Sequence, residues 1–308
     1  MTARVYKSTG SWYLVKADNG KFFQARIKGK FKIDDITSTN PLAVGDIVTI
    51  ETENELEDTV TITVIHDRRN YINRRSPANK RQHHIIASNI DQTLLVATLR
   101  EPRTSQGFID RFLVAAESFH VPAIIIINKA DLFREKERKQ FEAWREMYED
   151  IGYKVLLTSI QNSESIDTMR ALLKDKTTLM SGHSGVGKST LINALMPNLD
   201  LKTQEISGWS GKGLHTTTFA EMFDLPFGGS IIDTPGMREF GHVDISHQEL
   251  SHYFPEMRRL LQHCQFNNCL HTNEPGCAVK EAVEQELISV DRYISYCTIL
   301  DSIETEEW

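Results

Sequence analysis

The spacing of hydrophobic residues changes along the chain, and the change separates an all-β stretch from a longer α/β stretch. Apolar and polar positions alternate in short runs at 12–17, 21–27, 47–50 and 59–65, and the Asp-Asn-Gly sequence at 18–20 is typical of a hairpin turn. These runs predict about five short strands within roughly the first 70 residues, the number found in a small oligonucleotide-binding (OB) barrel.

From residue 85 onward, buried-strand patterns alternate with helical ones. The predicted strands are the apolar runs at 93–99, 123–128, 155–159, 177–181 and 230–233, and the predicted helices cover 110–119 and 135–151. Such alternation predicts a mostly parallel sheet with helices on both faces. Beyond about residue 241 the pattern is helix-rich and contains all four cysteines. The predicted fold class is therefore multidomain α/β, with an N-terminal OB-type barrel and a C-terminal helical region.

The composition is that of an ordinary globular protein, with 40% hydrophobic and 25% charged residues among 308. The longest apolar run, Ala123 to Ile127, is far too short to span a bilayer, and residues 1–7 lack the apolar segment of an export signal. We therefore expect no membrane association and a cytoplasmic location. In a reducing compartment, four cysteines indicate a metal site or unreacted thiols rather than disulfides.

Two features of the N-terminal part could contact nucleic acid. A basic block between Arg68 and His84 contains no acidic residue, although the net charge of the chain is −7. Such a block either neutralises phosphates or forms a solvated linker. The aromatic residues at 12, 13, 22 and 23 could stack on bases, but strand alternation must place some of them inside the barrel.

The most specific motif is the octapeptide from Gly182 to Ser189, of the form Gly-x-x-x-x-Gly-Lys-Ser. It follows the apolar run at 177–181 and opens a predicted helix, which is the context that a phosphate-binding loop requires. Its glycines allow backbone amides to face the phosphates, and the helix N-terminus adds positive potential. We expect Lys188 to bridge the β- and γ-phosphates and Ser189 to ligate Mg²⁺.

Two further segments predict the rest of the phosphate site. The apolar run at 230–233 ends in Asp-x-x-Gly, so Asp233 can hold Mg²⁺ through a water and the Gly236 amide can sense the γ-phosphate. Before it lies the sequence His-Thr-Thr-Thr at 215–218. We expect Thr217 to reach Mg²⁺ and the γ-phosphate when this loop closes.

The sequence Asn-Lys-Ala-Asp at 128–131 is typical of guanine recognition. The Asp131 carboxylate can accept hydrogen bonds from N1–H and the exocyclic amine of guanine, a donor pair that adenine lacks. Asn128 is expected to steady the base and the neighbouring loops, and the stem of Lys129 to cover the ring plane. The sequence Thr-Ser-Ile at 158–160, which includes Ser159 and ends the next predicted strand, is a candidate partner for guanine O6. Together these residues predict binding of GTP and GDP rather than adenine nucleotides.

The guanine motif precedes the phosphate loop, which reverses the order of an ordinary GTPase, so the site is assembled from a rotated chain. Met237 follows Gly236 where many GTPases carry the glutamine that orients the attacking water, and methionine cannot perform that task. Hydrolysis must therefore be slow unaided or use another group. His215 is our candidate, although it could equally be a packing residue, and a partner could also supply the group. The predicted catalytic residues are His215, Thr217 and Lys188.

Three cysteines and one histidine in the C-terminal region have the spacing Cys-x4-Cys-x-His-x5-Cys. Three thiolates and an imidazole suit tetrahedral Zn²⁺, and a closed set of four ligands indicates a structural site. Cys297 could replace the histidine, and free core thiols are the alternative to a metal site. The predicted ligands are Cys264, Cys269, His271 and Cys277.

The order of these motifs, with a barrel before them and the cysteine cluster after them, resembles the ribosome small-subunit-dependent GTPase A family, the RsgA or YjeQ/YloQ type. The resemblance covers essentially the whole chain. It implies an OB barrel, a circularly permuted GTPase domain and a zinc domain, which we place at 1–72, 85–240 and 241–308, with a basic linker at 73–84.

The resemblance also implies the partners and the site residues. The family binds the small (30S) ribosomal subunit, is stimulated by it and acts late in its maturation, which implies contact with 16S rRNA. The GTP-binding residues that it implies are Asn128, Lys129, Asp131, Gly182, His183, Ser184, Gly185, Val186, Gly187, Lys188, Ser189 and Thr190. Met237 agrees with the family's lack of the glutamine, whereas the sequence Thr-Ser-Ile at 158–160 is a loose version of the last guanine motif.

The permuted order places the Asp233 segment directly before the cysteine module, with the barrel on the other flank. We therefore expect a monomer whose GTP form binds the 30S particle and whose GTP hydrolysis releases it. One alternative is an RNA-binding guanine-nucleotide sensor with negligible turnover, which Met237 favours and the intact Lys188 disfavours. Another is a GTPase that delivers zinc, which the closed ligand set disfavours.

Overall fold

The computed structural model describes residues 1–10, 12–27, 41–52, 59–75, 83–196, 220–233 and 245–303. The described residues up to Ile65 form the predicted barrel. Its strands are β1 (Thr2–Ser8), β2 (Tyr13–Ala17), β3 (Phe22–Ile27), β4 (Ile47–Thr52) and β5 (Thr59–Ile65). Strand β1 pairs antiparallel with both β2 and β4, while β5 pairs with β3 and β4, so the strands close on themselves.

The aromatic residues of the barrel divide as strand alternation requires. Tyr13 and Phe23 lie in the barrel core, where they are 2% and 5% exposed. Trp12 and Phe22 lie outside it. The Arg26 guanidinium lies 3.6 Å from the centroid of the Trp12 ring. Two of the four aromatic residues considered for base stacking therefore lie in the barrel core, and the other two lie on the surface.

The α/β part contains the five predicted strands, each displaced by at most two residues at either end. They run parallel in the order β10 (Lys154–Leu157), β9 (Ala123–Asn128), β8 (Gln92–Thr98), β11 (Thr177–Ser181) and β13 (Ser230–Asp233). An additional strand, β12 (Glu221–Asp224), pairs antiparallel with β13. The mostly parallel sheet is thus confirmed, and β12 is an element that the apolar pattern did not predict.

Helices cover both faces of this sheet, as predicted. Helix α1 (Gln106–Ser118) and helix α2 (Glu135–Asp150) pack on one face, and α3 (Ser163–Leu173) and α4 (Lys188–Leu195) pack on the other. Helix α1 begins four residues before the predicted 110 because Ser105 caps it, its side chain accepting a hydrogen bond from the Phe108 amide.

The segment predicted as a basic linker has paired strands at both of its described ends, so it is not a simple spacer there. Strand β6 (Tyr71–Arg75) pairs antiparallel with β7 (His83–Ser88), and residues 76–82 lie outside the described part of the chain. Just before β6, Arg68 donates to the buried Asp46 carboxylate through Nε and Nη2, both at 2.6 Å. Part of the basic block is therefore committed to holding this ribbon against the barrel.

The barrel joins the α/β sheet through β1 and β12, which pair at Lys7 and Glu221 and make one sheet of 11 strands. The Asp224 carboxylate at the end of β12 accepts hydrogen bonds from Tyr6 Oη and Lys16 Nζ, both at 2.5 Å. Burial alone would raise the pKa of Asp224, but the hydrogen bond from Lys16 and those from Tyr6 and Ser230 lower it. The ionised carboxylate therefore holds the barrel in place.

The C-terminal residues form a small helical module with its own core. Its helices are α5 (Pro255–Arg258), α6 (Ala278–Glu284) and α7 (Val290–Ser302), and 3-10 turns precede and follow α5. Val114 of α1 lies in the same hydrophobic cluster as Phe254 and Tyr296, so the module packs directly on the α/β part. Across the described ranges of the chain, we find no helix with the length and apolar character needed to cross a membrane.

We expect Gly45→Ala to destabilise the protein more than Gly20→Ala. Both glycines have φ in the left-handed region, at +96° and +84°, so alanine costs about 1 kcal/mol or more at either position. A Cβ at Gly45 would lie 2.1 Å from the Ser88 carbonyl oxygen, whereas one at Gly20 would meet nothing within 4 Å. Urea unfolding of both variants measures the difference. Equal losses would show that the approach of β7 to the barrel is not tight in solution.

Candidate nucleotide and metal sites

The loop from Gly182 to Gly187 leaves β11 at the carboxyl edge of the parallel sheet and leads into α4. Gly182 has φ +142°, and a Cβ there would lie 2.2 Å from the Val96 carbonyl oxygen of the neighbouring strand. Gly187 has φ +95°, and a Cβ there would lie 2.6 Å from the Asn128 amide nitrogen. Glycine is therefore required at both ends of the loop, by the backbone conformation and by the lack of space.

The side chain of Lys188 folds back over this loop. Its ammonium group donates hydrogen bonds to the carbonyl oxygens of Gly182 at 2.5 Å and His183 at 2.8 Å. Burial lowers the pKa of Lys188, and the nearby carboxylate of Asp233 opposes that shift. Asp233 itself is 4% exposed at the end of β13. The loop thus holds the Lys188 ammonium group close to a buried carboxylate.

Hydrogen bonds join the guanine motif to the phosphate loop. The Asn128 side chain donates to the Val186 carbonyl oxygen at 2.9 Å. Lys129 adopts the left-handed conformation at φ 62° and donates through Nζ to the Gly185 carbonyl oxygen at 2.7 Å. These contacts bring together two motifs that lie more than 50 residues apart in the sequence, with the guanine motif first.

Asp131 is exposed in the turn after β9, where its carboxylate can be reached by a ligand. One carboxylate oxygen accepts a hydrogen bond from Ser159 Oγ at 2.6 Å. The Thr158 hydroxyl donates to the side-chain oxygen of Asn128 at 3.1 Å. The segment after β10 therefore orients the guanine motif, and the Ser159 hydroxyl is directed at Asp131.

Some of the predicted site residues lie in the described part of the chain, and others lie outside it. Ser189 and Thr190 lie in the first turn of α4, and Ser184 and Gly185 are exposed at the tip of the loop. His215, Thr217, Gly236 and Met237 lie outside the described residues.

The loop between β8 and α1 contributes contacts that no motif revealed. The carbonyl oxygen of Glu101 accepts a hydrogen bond from Lys129 Nζ. Pro102 lies beside the phosphate loop, with its Cδ 3.5 Å from the position that a Cβ of Gly185 would take. Backbone carbonyls and proline rings leave no distinctive spacing in a sequence, which is why this loop was missed.

The predicted metal ligands converge. The ligand atoms of Cys264, Cys269, His271 and Cys277 all lie within 4.8 Å of one another. His271 Nδ1 is 3.6 Å from Cys264 Sγ and 3.4 Å from Cys277 Sγ. Bond lengths to tetrahedral zinc imply a nitrogen–sulfur separation of about 3.5 Å, so these distances fit the ion. Cys297 is not part of this cluster, so the set with His271 is the one that the structure assembles.

The protonation chemistry of this cluster also suits a divalent cation. Burial lowers the pKa of His271, which favours the neutral imidazole that ligates metals, whereas burial raises the pKa of Cys269. A bound divalent cation offsets such a rise, because it holds its thiol ligands deprotonated. The ligand loop is fixed from α7, where Tyr293 Oη donates to the His271 carbonyl oxygen at 2.6 Å and Tyr296 Oη to that of Leu270 at 2.8 Å.

A buried ion cluster attaches this module to the nucleotide-binding part. Arg292 of α7 donates to Asp110 of α1 at 2.6 Å and to both carboxylate oxygens of Glu256 at 2.7 and 3.2 Å. Tyr148 of α2 donates to the same oxygen of Asp110 at 2.8 Å. Burial alone would lower the pKa of Arg292, but Asp110 and Glu256 raise it above its ordinary value. The guanidinium therefore stays charged inside the interface.

Comparison with known proteins identifies similar sequences along the whole chain. The sequence model of the RsgA GTPase family matches residues 65–243, and that of the RsgA N-terminal domain matches residues 2–60. A Flavobacterium psychrophilum protein named small ribosomal subunit biogenesis GTPase RsgA is 52% identical over 98% of this chain and 93% of its own length. A protein of the same name from Bacteroides fragilis strain YCH46 is 50% identical over 99% and 97%.

Solved structures show the same likeness at lower identity. The crystal structure of YjeQ from Thermotoga maritima superposes with a TM-score of 0.78 at 32% identity, covering 98% of each chain. The crystal structure of YloQ, described as a circularly permuted GTPase, gives a TM-score of 0.76 at 32% identity, covering 100% of this chain and 96% of the other. The fold is therefore shared with both.

We expect Arg292→Met to destabilise the protein by about 3–5 kcal/mol, because it leaves two buried carboxylates without their cation. Arg258→Met is the matched control, since Arg258 also joins the module to α1, through Glu117 at 3.0 Å, but its side chain is 51% exposed. An exposed pair of that kind contributes about 0–1 kcal/mol. Denaturant unfolding followed by tryptophan fluorescence compares them. Similar losses in both variants would contradict the assignment of Arg292 as the anchor.

Proposed function

Because this chain belongs to the RsgA GTPase family, we propose that it couples GTP hydrolysis to late maturation of the small (30S) ribosomal subunit. The observation that carries the proposal is the joining of Asn128 and Lys129 to the phosphate loop, which builds a guanine-nucleotide site from the permuted order. The relatives named as small ribosomal subunit biogenesis GTPases match nearly the whole chain, so the flanking modules are shared as well as the nucleotide site.

In this proposal Asp131 reads the guanine base, and Ser159 orients its carboxylate. Lys188 contacts the β- and γ-phosphates, while Ser189, Thr217 and Asp233 hold Mg²⁺. The remaining contacts to the nucleotide come from Asn128, Lys129, Gly182, His183, Ser184, Gly185, Val186, Gly187, Thr190 and Gly236. The hydrogen bonds around Lys188 and Asp131 support these assignments for the described residues.

Met237 cannot orient the attacking water, so we propose that turnover is slow until the 30S subunit is bound. The subunit then either orders a group of this chain, for which His215 is the candidate, or supplies the group itself. Thr217 and Lys188 act beside it on the γ-phosphate. Release of the phosphate ends the contacts that favour the bound form.

The flanking modules are the proposed contacts with the subunit. The outer face of the barrel carries Trp12 and Arg26, and Arg74 and Arg75 of the basic block occupy positions on strand β6 of the adjoining ribbon, which suits 16S rRNA. Cys264, Cys269, His271 and Cys277 would hold one Zn²⁺ that fixes the fold of the C-terminal module. We further propose a cytoplasmic monomer with domains at 1–72, 85–240 and 241–308, joined by the segment 73–84.

We expect purified protein to hydrolyse GTP slowly and the 30S subunit to accelerate it by about tenfold or more, while 50S subunits do not. The measurement is phosphate release at physiological salt, with Lys188→Ala as the inactive control. Hydrolysis that no ribosomal particle stimulates would contradict the proposal. Binding of 30S subunits without measurable turnover would instead favour the guanine-nucleotide sensor.

We expect Asp131→Asn to reduce GTP affinity by about tenfold to a hundredfold and to improve binding of XTP. Xanthine carries a carbonyl where guanine carries its exocyclic amine, so it accepts a hydrogen bond from an amide but not from a carboxylate. Titration with fluorescent nucleotide analogues checks the result. Ser159→Ala is the control, because it removes the hydrogen bond to Asp131 and retains the carboxylate. Its base preference should remain guanine, and an equal shift in both variants would contradict the role of Asp131.

A further inference from the structure

The phosphate loop has an aromatic contact on α1 that belongs to none of the nucleotide motifs. The phenyl ring of Phe108 stacks on the imidazole ring of His183, with centroids 3.7 Å apart and ring planes inclined by 29°. Phe108 lies in the first turn of α1, and His183 is the second residue of the loop. The helix therefore contacts the loop close to the point where the loop leaves β11.

His183 is also one of the two residues that hold the side chain of Lys188. The Lys188 ammonium donates to the carbonyl oxygens of Gly182 and His183, and these bonds fix the direction of a long, flexible side chain. A displacement of the His183 backbone would move one of the two acceptors. The ring stack and the lysine contact thus act on the same residue, one through its side chain and the other through its carbonyl group.

The position of Phe108 is set by the anchoring of α1 on both sides. Ser105 caps the helix, and Ile109 and Phe112 bury their side chains in the core between helix and sheet. Asp110 is tied to Arg292 of the C-terminal module within the buried ion cluster. Phe108 therefore lies in the first turn of a helix that is held in place by its neighbours, so the position of its ring is fixed by the fold.

We propose that Phe108 is a positioning residue for phosphate binding, acting through His183 on Lys188. The inference rests on the proposed guanine-nucleotide site and deepens it, because it assigns part of the grip on the β- and γ-phosphates to α1. Phe108 does not touch the nucleotide in this proposal. Its replacement should weaken binding of those nucleotides that carry a β-phosphate and leave recognition of the base unchanged.

The test compares affinities for GDP and GMP in Phe108→Leu and in the wild-type protein, by competition against a fluorescent guanine nucleotide. An aromatic stack contributes enough to predict a loss of GDP affinity of about two- to tenfold. GMP affinity should change by less than about twofold, because GMP lacks the phosphates that Lys188 contacts. Phe119→Leu is the matched control, since it makes the same change at the other end of α1.

The partner of the stack gives a second measurement. In His183→Gln the imidazole is absent, so adding Phe108→Leu should cause little further loss of GDP affinity, whereas independent sites would give additive losses. Thermal unfolding of each variant shows whether the fold is intact. Equal losses for GDP and GMP, or additive losses in the double variant, would overturn the proposal. Failure of the wild-type protein to bind GDP more tightly than GMP would instead contradict the proposed nucleotide site.

Discussion

The hydrogen bonds from the Asn128 and Lys129 side chains to the carbonyl oxygens of Val186 and Gly185 are the contacts on which the nucleotide site depends. They join the segment proposed to read the base to the segment proposed to hold the phosphates, which lie far apart along the chain. Strands β9 and β11 of the parallel sheet, with β8 between them, bring both segments to the same carboxyl edge. A chain that runs in rotated order can therefore build an ordinary site, because the site requires the edge and its loops and not a particular order of connection.

The rotated order changes what is attached to the site. Strand β12 leads through β13 to the buried Asp233 and also pairs with β1 of the barrel, so the barrel is attached close to the predicted Mg²⁺ ligand. On the other side, α1 contacts the phosphate loop through Phe108 and the C-terminal module through Asp110. Both flanking modules are thus held by elements that also border the predicted phosphate site. For the bound nucleotide to affect the affinity for a partner, the contacts at these elements must differ between the GTP and GDP forms.

The sequence predicted the parts of this arrangement that repeat a local pattern. Apolar runs predict the parallel strands. The phosphate loop and the metal ligands are predicted by residue spacings that are rare in other kinds of site. Strand β1 does not show a simple alternation because both of its faces are partly buried around a bulge between Val5 and Lys7, with Val5 in the barrel core and Tyr6 in the core of the α/β part.

Contacts between distant segments were beyond the reach of such patterns. The hydroxyl of Ser159 donates to Asp131, a contact that depends on how two loops meet. Strand β12 is short and only partly buried, and it is stabilised by partners from the barrel that lie more than 200 residues earlier. Phe108 and Pro102 carry no motif. Their importance comes from proximity to the phosphate loop, which only the folded chain creates.

The buried ion cluster at Arg292 raises the question of why charges occupy an interface that apolar residues could fill. Burying three charged groups costs desolvation free energy, and well-packed apolar replacements are often at least as stable. Charges differ from apolar contacts in direction, however, because one guanidinium can bond one oxygen of Asp110 and both oxygens of Glu256 in only one relative placement of α1, α5 and α7. An apolar interface could slide by a fraction of a turn with little loss. The ion cluster therefore fixes the register of the C-terminal module on α1, and through α1 the place of Phe108 beside the phosphate loop.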